Sequence, residues 1–193
     1  MAKKQYEFRP DPDGKGLLAK LYLTPLQRLT LLKWGLYSLA LLACLLLQDV
    51  VFSTLRIYGG VAELAVCVIL MVPVLQDQES GGLFALLGSI FYYFSGSAPG
   101  IYVIAVLPTL GICATIFRQN FLRRGLSSAW LCTGVTLCVY ELFVFGVGLL
   151  LQQTLVTRWP AFLSATCQSL LYCLFLYPAL QAISKIGGDA WKE

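Results

Sequence analysis

The sequence predicts an all-α membrane protein, a bundle of six transmembrane helices with both termini in the cytoplasm. Hydrophobic residues make up 58% of the 193 residues and charged residues only 12%, whereas soluble domains carry about 25% charged residues. The apolar residues fall into long blocks joined by short polar segments. The basic residues are concentrated on one side of the resulting topology. A chain with so few polar residues needs lipid around it, which argues against a soluble catalytic domain.

Four apolar blocks are long enough to cross a bilayer, which takes about 20 apolar residues in a helix. Before the first block, Thr24 is a suitable N-cap and Pro25 a suitable first helical residue, because proline lacks the amide hydrogen that would have no partner there. The four blocks are Leu29–Val51, Ile101–Phe117, Ser128–Leu151 and Phe162–Ile183.

The second and third blocks, Val61–Leu75 and Gly82–Ser95, are shorter and are separated by the polar segment 76–80. They fit either two short spans whose polar ends reach the headgroups or one re-entrant hairpin. We favour two spans, because a polar turn exposed to lipid in the middle of the membrane would be costly.

The chain therefore divides into three parts. Residues 1–28 are a cytoplasmic tail in which Gly16–Leu23 suits a helix lying at the membrane interface, residues 29–185 form the six-helix transmembrane domain, and residues 186–193 are a cytoplasmic C-terminal tail. Of the 14 basic residues, all except Arg56 and Arg158 fall on the cytoplasmic side of this topology. That asymmetry follows the positive-inside rule.

The residue inventory argues against catalysis, and we expect no cofactor and no metal. The chain has no histidine, which removes the usual base and ligand of hydrolytic and zinc chemistry. Only one aspartate, Asp49, borders a predicted span. The seven cysteines all lie inside apolar blocks and are interpreted as small hydrophobic residues rather than a disulfide framework.

Two acidic residues stand out because a carboxylate inside a membrane must be protonated, paired or hydrated. Glu141 lies well inside the fifth span, and Glu63 lies near the outer end of the second. They indicate either an interior polar network that binds a ligand or a partner helix, or hydrogen bonds internal to the fold.

Gly81, Ala85 and Ser89 recur every four residues, a spacing that lets two helices approach closely. The neighbour is either another helix of this chain or a separate protein.

Several motifs, taken in order, resemble the MreD family of rod-shape-determining membrane proteins. They are Gly60-Val61-Ala62-Glu63-Leu64, the glycine-rich 79–88, the loop Ser95-Gly96-Ser97-Ala98-Pro99-Gly100 before Ile101-Tyr102, the basic 117–124 and Tyr140-Glu141-Leu142. Two positions depart from the family pattern. Tyr92 stands where the family usually has an aspartate, and the loop proline is at Pro99, with Ala98 in its usual place.

The resemblance implies a fold similar to the six-helix substrate-binding subunits of vitamin transporters and a non-catalytic role in the bacterial inner membrane. It implies a scaffold of cell-wall elongation that binds an MreC-like single-span periplasmic protein and is linked indirectly to MreB and the peptidoglycan glycosyltransferase–transpeptidase pair. The candidate structural or partner contacts are therefore Glu63, Gly81, Ala85, Ser89, Gly96, Pro99, Gly100 and Glu141. The alternative is a small-solute transporter subunit with a pocket lined by Tyr58, Glu63, Tyr92, Tyr93 and Arg158.

Overall fold

A computed structural model describes residues 25–52, 54, 59–122 and 125–186. The predicted interfacial segment Gly16–Leu23, the cap at Thr24 and nearly all of the C-terminal tail lie outside the described residues, as do Arg56 and Tyr58.

Helices account for the regular structure of the described part of the chain, which confirms the all-α class. The first helix, α1, continues into a π-helical segment, Gln48–Phe52, and a short 3₁₀ turn, Val156–Arg158, precedes the last. The α-helices are α1 (Pro25–Leu47), α2 (Leu64–Leu75), α3 (Gln78–Phe94), α4 (Val103–Phe121), α5 (Leu126–Leu150) and α6 (Trp159–Ser184).

Four helical segments are long and apolar enough to cross a membrane: Gln27–Phe52, Val103–Phe121, Leu126–Leu150 and Val156–Ser184. These lengths and compositions are those of a multi-pass membrane protein. The helices α2 and α3 are shorter, with 12 and 17 residues, and at 1.5 Å per residue they rise only about 18 and about 26 Å.

The short helix α2 is the centre of the bundle. It contacts each of the other five helices, and these form a ring around it in which α1 touches α3, α3 touches α4, α4 touches α5, α5 touches α6 and α6 touches α1. All 12 of its residues are buried. A helix surrounded by protein on every side must be apolar all round, as this one is.

A break at Gln76 and Asp77 separates α2 from α3. The helix α3 begins at Gln78, four residues before the predicted block. The prediction followed the apolar residues, whereas residues 78–81 are helical although they are not apolar. Glu79 lies in its first turn, where a negative charge is favourable beside the positive end of the helix dipole. The two helices form an antiparallel hairpin in which Gly81 lies against Pro73 and Gly88 against Ile69.

The outer faces of the ring are apolar. Leu39, Leu42 and Leu46 of α1, Phe91 of α3 and Phe175 of α6 are each more than half exposed. Soluble monomers rarely expose such large continuous apolar surfaces. The distribution, with polar groups inside and leucine and phenylalanine outside, suits a lipid environment.

Candidate functional site

A set of polar side chains meets inside the bundle where α1 and α3 end and α2 begins. We call it the interior polar cluster. Glu63 immediately precedes α2, Tyr92 lies in the last turn of α3, and Gln48 directly follows α1. Tyr140, Glu141 and Ser169 come from the interior of α5 and α6, and all but Glu63 of these six residues are buried. Under the predicted topology this is the outer half of the membrane.

Two members of the interior polar cluster hold the start of α2. The amide of Glu63 donates to Ser169 Oγ at 2.9 Å, and the amide of Ala65 donates to Gln48 Oε1 at 3.1 Å. The first amides of a helix have no partner within the helix, and Glu63 makes no side-chain cap of its own. Side chains from α1 and α6 therefore cap α2, which anchors the central helix to both neighbours.

Three buried polar atoms of the interior polar cluster make no hydrogen bond: Glu63 Oε2, Tyr140 OH and Glu141 Oε1. The side chain of Glu141 is only 4% exposed and that of Tyr140 is fully buried. Buried polar atoms are normally hydrogen-bonded, so this arrangement has capacity for a further group. One possibility from the sequence is a hydrogen bond from Glu141 to another group of the fold. Oε1 of Glu141 makes no such bond.

The two carboxyl groups act on each other and on the tyrosines around them. Glu63 is an electrostatic neighbour of Glu141, and both act on Tyr92 and Tyr140. In a site with little water, two carboxylates this near each other repel. The arrangement can hold a proton, a water molecule or a small cation, and it offers oxygen atoms as ligands. Among the described residues, no group of three or more acidic or cysteine side chains is arranged to hold a metal ion.

The cysteines are all free thiols, and four of the seven are buried. Cys67 of α2 donates from Sγ to the carbonyl of Ser169 at 3.4 Å and lies beside Cys173 of α6. These contacts join α2 to α6 just below the interior polar cluster.

The loop 95–100 is tied to the end of α1. Ser97 donates from Oγ to Asp49 Oδ1 at 2.7 Å, and Tyr92 donates from its hydroxyl to the carbonyl of Ser97 at 3.4 Å. Gly96 has a φ of +79°, a left-handed conformation that favours glycine. The side chain of Tyr92 is fully buried and ties the loop to α3.

The remaining loop residues differ in their surroundings. Gly100 lies against the ring of Tyr102, which leaves no room for a side chain, whereas Pro99 is exposed. A side chain at position 100 would therefore have to displace the Tyr102 ring, and Pro99 is accessible at the surface of the bundle.

The small residues of α3 pack against helices of the same chain. A Cβ atom added to Gly81 would lie 2.6 Å from Pro73 Cα. Ala85 is fully buried, and Ser89 donates from Oγ to Leu86 O at 2.8 Å and to Ile104 O of α4 at 3.4 Å. These three residues therefore face α2 and α4 of the same chain.

The sequence-predicted residues thus occupy three places rather than one site. Glu63 and Glu141 belong to the interior polar cluster, Gly96, Pro99 and Gly100 to the loop, and the stripe from Gly81 to Ser89 to the α2–α3–α4 contact. Sequence reasoning did not assign Gln48 or Ser169 to a site, and the only signal for them is their position as polar residues at the end of one span and inside another.

It also missed a polar contact at the opposite end of the bundle. Gln76, just after α2, donates from Nε2 to Tyr37 OH at 2.8 Å, and Tyr37 donates to Leu180 O at 3.3 Å. The contact joins α1, α2 and α6 where the predicted cytoplasmic side lies.

Fold and site together describe an all-helical bundle in which four helices are long and apolar enough to cross a membrane, as in a multi-pass membrane protein, and which has a polar cluster inside it. No protein-family model matches the chain, and no curated protein and no solved structure matches it either. The resemblance to MreD accordingly rests on the sequence motifs alone.

Proposed function

We propose that the protein is a non-catalytic scaffold of the cell-wall elongation machinery in the bacterial inner membrane. In this role it binds an MreC-like single-span periplasmic protein and helps to maintain rod shape, with indirect links to MreB and to the peptidoglycan glycosyltransferase–transpeptidase pair. The proposal rests on the ordered motifs that resemble MreD, including the Ser95–Gly100 loop and Tyr140-Glu141-Leu142.

The observation that best supports a scaffold is the burial of α2. Every residue of this helix is buried, and five helices contact it. A bundle whose central helix is enclosed by the other five is rigid, and a scaffold needs a rigid surface on which its partner can dock. The partner would then meet the outside of the ring, where apolar residues such as Leu42 and Phe91 are exposed and where helix association in lipid depends on close packing.

The same proposal includes six spans with cytoplasmic termini. The hairpin of α2 and α3 and the turn between them support it, because that turn carries Asp77 and Glu79 and fits the headgroup region better than hydrocarbon. The central position of α2 also explains how 12 residues suffice, since its ends meet protein rather than lipid.

The test of the scaffold proposal is copurification from a rod-shaped bacterium that contains this protein. The tagged full chain, solubilised in mild detergent, should recover a protein with one hydrophobic span and a periplasmic domain. Depletion of the chain should produce rounded cells. Recovery of an ATPase module together with loss of solute uptake would contradict the proposal.

A second candidate function, a substrate-binding subunit of a small-solute transporter, is favoured by one observation. Three polar atoms in the predicted outer half of the bundle are buried without hydrogen-bond partners, namely Glu63 Oε2, Tyr140 OH and Glu141 Oε1. A ligand could supply the missing hydrogen bonds. Of the other residues expected to line such a pocket, Tyr92 is buried within this cluster, Tyr93 is half-buried and Arg158 is exposed.

The two candidates are distinguished by replacing Tyr140 with Phe. The variant removes one unpartnered hydroxyl without changing the ring. A transporter subunit would lose solute uptake, whereas a scaffold would keep both cell shape and its copurifying partner. Leu142→Ile, on the exposed face of the same helix, serves as the control.

A further inference from the structure

Two carboxyl groups of the interior polar cluster have no positive partner in the described part of the chain. Glu141 has Glu63 as its electrostatic neighbour, and no basic side chain acts on either group. Neither Glu63 Oε2 nor Glu141 Oε1 makes a hydrogen bond. Buried charges are normally paired and hydrogen-bonded, because they lose the solvation that water gives them. The two groups must therefore be balanced by protons or by a positively charged ligand.

A buried hydroxyl at the same place distinguishes these two possibilities. Tyr140 is fully buried, its hydroxyl makes no hydrogen bond, and both Glu63 and Glu141 act on it. A buried tyrosine hydroxyl usually has a partner. Protons on the carboxyl groups would remove their charge and leave the hydroxyl as it is. A cation bound by all three oxygen atoms would balance the charge and also give the hydroxyl a partner.

Neutral oxygen atoms complete the surroundings. Ser169 Oγ accepts the amide of Glu63 at 2.9 Å, and Gln48 Oε1 accepts the amide of Ala65 at 3.1 Å. Each of these oxygens has a second lone pair. The cluster thus combines carboxyl oxygens with hydroxyl and amide oxygens, which are the ligands that hard cations prefer.

Ligand number and charge favour a monovalent ion over a divalent one. Ca²⁺ takes about six to eight oxygen ligands, and Mg²⁺ requires an octahedron in which it keeps several waters. The described helices bring no three acidic or cysteine side chains together for such an ion. One monovalent cation and one proton together balance two carboxylates, and Na⁺ without its water is no larger than a water molecule.

Glu63 gives the cluster a connection to the surface. Its side chain is half-buried, whereas that of Glu141 is only 4% exposed. Glu63 immediately precedes α2, on the side of the bundle that is predicted to face outward. An ion that enters from that side would meet Glu63 first and would then be enclosed by Tyr140 and Glu141 of α5.

We propose that the interior polar cluster binds one small monovalent cation, such as Na⁺, through Glu63 Oε2, Glu141 Oε1 and the hydroxyl oxygen of Tyr140. Because Glu63 precedes α2 and the other two residues belong to α5, the ion joins the central helix to the ring around it. The proposal goes beyond the scaffold function and does not depend on it. Binding is measured on the chain without any partner, so a negative result would leave the scaffold function untouched.

The test uses the purified full chain in detergent with radioactive Na⁺ as the probe. Scintillation proximity measures binding, and choline chloride keeps the ionic strength constant so that charge screening does not change. Binding should be saturable, and the melting temperature should rise by about 3–5 °C for each tenfold increase in NaCl above the dissociation constant. Absence of saturable binding, with equal melting temperatures in NaCl and choline chloride, would mean that protons alone balance the carboxyl groups and would overturn the proposal.

Competition defines the class of ion. Unlabelled Na⁺, Li⁺ and K⁺ are added separately to the chain with its radioactive Na⁺, and at least one ion besides Na⁺ should displace the probe. Ca²⁺ and Mg²⁺ should displace it only at higher concentrations than unlabelled Na⁺. Displacement by either divalent ion at a lower concentration would overturn the assignment to a monovalent cation.

Three variants and a matched control locate the ion. Glu63→Gln and Glu141→Gln each remove a charged ligand and should weaken Na⁺ binding about tenfold or more, whereas Tyr140→Phe removes a neutral oxygen and should weaken it about fivefold. Glu79→Gln removes an exposed acid from the first turn of α3 and should leave binding unchanged.

The variants also separate a bound ion from an effect of net charge. Equal losses of Na⁺ binding in Glu79→Gln and Glu141→Gln would show that only the total charge matters. Unchanged binding in Glu63→Gln, Glu141→Gln and Tyr140→Phe would place the ion elsewhere, and either result would overturn the proposal. If Glu141→Gln fails to accumulate, Glu63→Gln and Tyr140→Phe decide the matter.

Discussion

At the scale of single residues, the most unusual feature is Glu141. It lies inside α5, its side chain is 4% exposed, and Oε1 has no hydrogen-bond partner. Its electrostatic neighbour is another acid, Glu63, and two acids do not form an ion pair. A carboxyl group in such a place is retained either because it binds something or because its neutral form fits the interior.

We predict that Glu141→Gln accumulates at the wild-type level and that Glu141→Lys does not. Glutamine has the shape of a neutral carboxylic acid and removes the repulsion with Glu63. Lysine places a longer side chain at a buried position and adds a charge that costs about 3 kcal/mol inside a membrane helix. Fluorescence-detected size-exclusion chromatography of tagged chains measures accumulation. A Lys variant that accumulates normally would mean that position 141 is reached by water or headgroups.

At the scale of the helices, Pro73 is a point where three of them pack closely. Gly81 of α3 meets its backbone, and Gly111 of α4 lies against its ring, so that an added Cβ on Gly111 would be 3.2 Å from Pro73 Cγ. Ala85 completes the contact, 3.6 Å from the same added atom. Lipid offers no hydrophobic force to hold helices together, so close packing of small residues must do so.

We predict that Gly81→Ala destabilises the bundle by about 1–3 kcal/mol, the usual cost of an extra methyl group in a filled core. Gly146→Ala is the matched control, since nothing lies within 4 Å of an added Cβ there. The control should be neutral or slightly stabilising, because alanine is the better helix former by about 0.5–1 kcal/mol. Melting temperatures in one detergent compare the pair, and equal values would show that α2 and α3 are farther apart than described.

At the scale of the whole molecule, the ring of five helices around α2 separates two chemically different ends. One end carries the interior polar cluster with its two acids, and the other carries Arg118 of α4 and Lys185 at the end of α6. The basic end coincides with the predicted cytoplasmic side. Arg118 and Lys185 are themselves among the basic residues from which that side is predicted, so the orientation stays a prediction.

We predict that Gln78→Cys, at the first residue of α3, reacts with a membrane-impermeant maleimide only from the cytoplasmic side, and that Pro99→Cys reacts only from the periplasmic side. Both positions are exposed. Leu87→Cys, on the apolar outer face of α3, should react from neither side. A Gln78→Cys variant that is unreactive from both sides would indicate a re-entrant hairpin instead of two spans.

The sequence by itself determined the helical class and the approximate bounds of the long helices, because about 20 apolar residues without water have only one way to satisfy their backbone. It also indicated Glu63 and Glu141 as unusual, since a carboxyl group in an apolar block is costly wherever the helix packs. For α3 the prediction was short by one turn, because residues 78–81 are polar yet helical and composition does not distinguish a polar helix start from a loop.

Only the tertiary structure decided that α2 is the central helix, that Gly81 packs against Pro73, and that Gln48 and Ser169 cap α2. Each of these depends on residues far apart in the chain, such as Glu63 and Ser169, and the choice among possible neighbours is made by shape. In lipid every apolar face is equally acceptable to the solvent. Which faces meet each other is therefore fixed by fit between helices, which the pattern of a single helix does not contain.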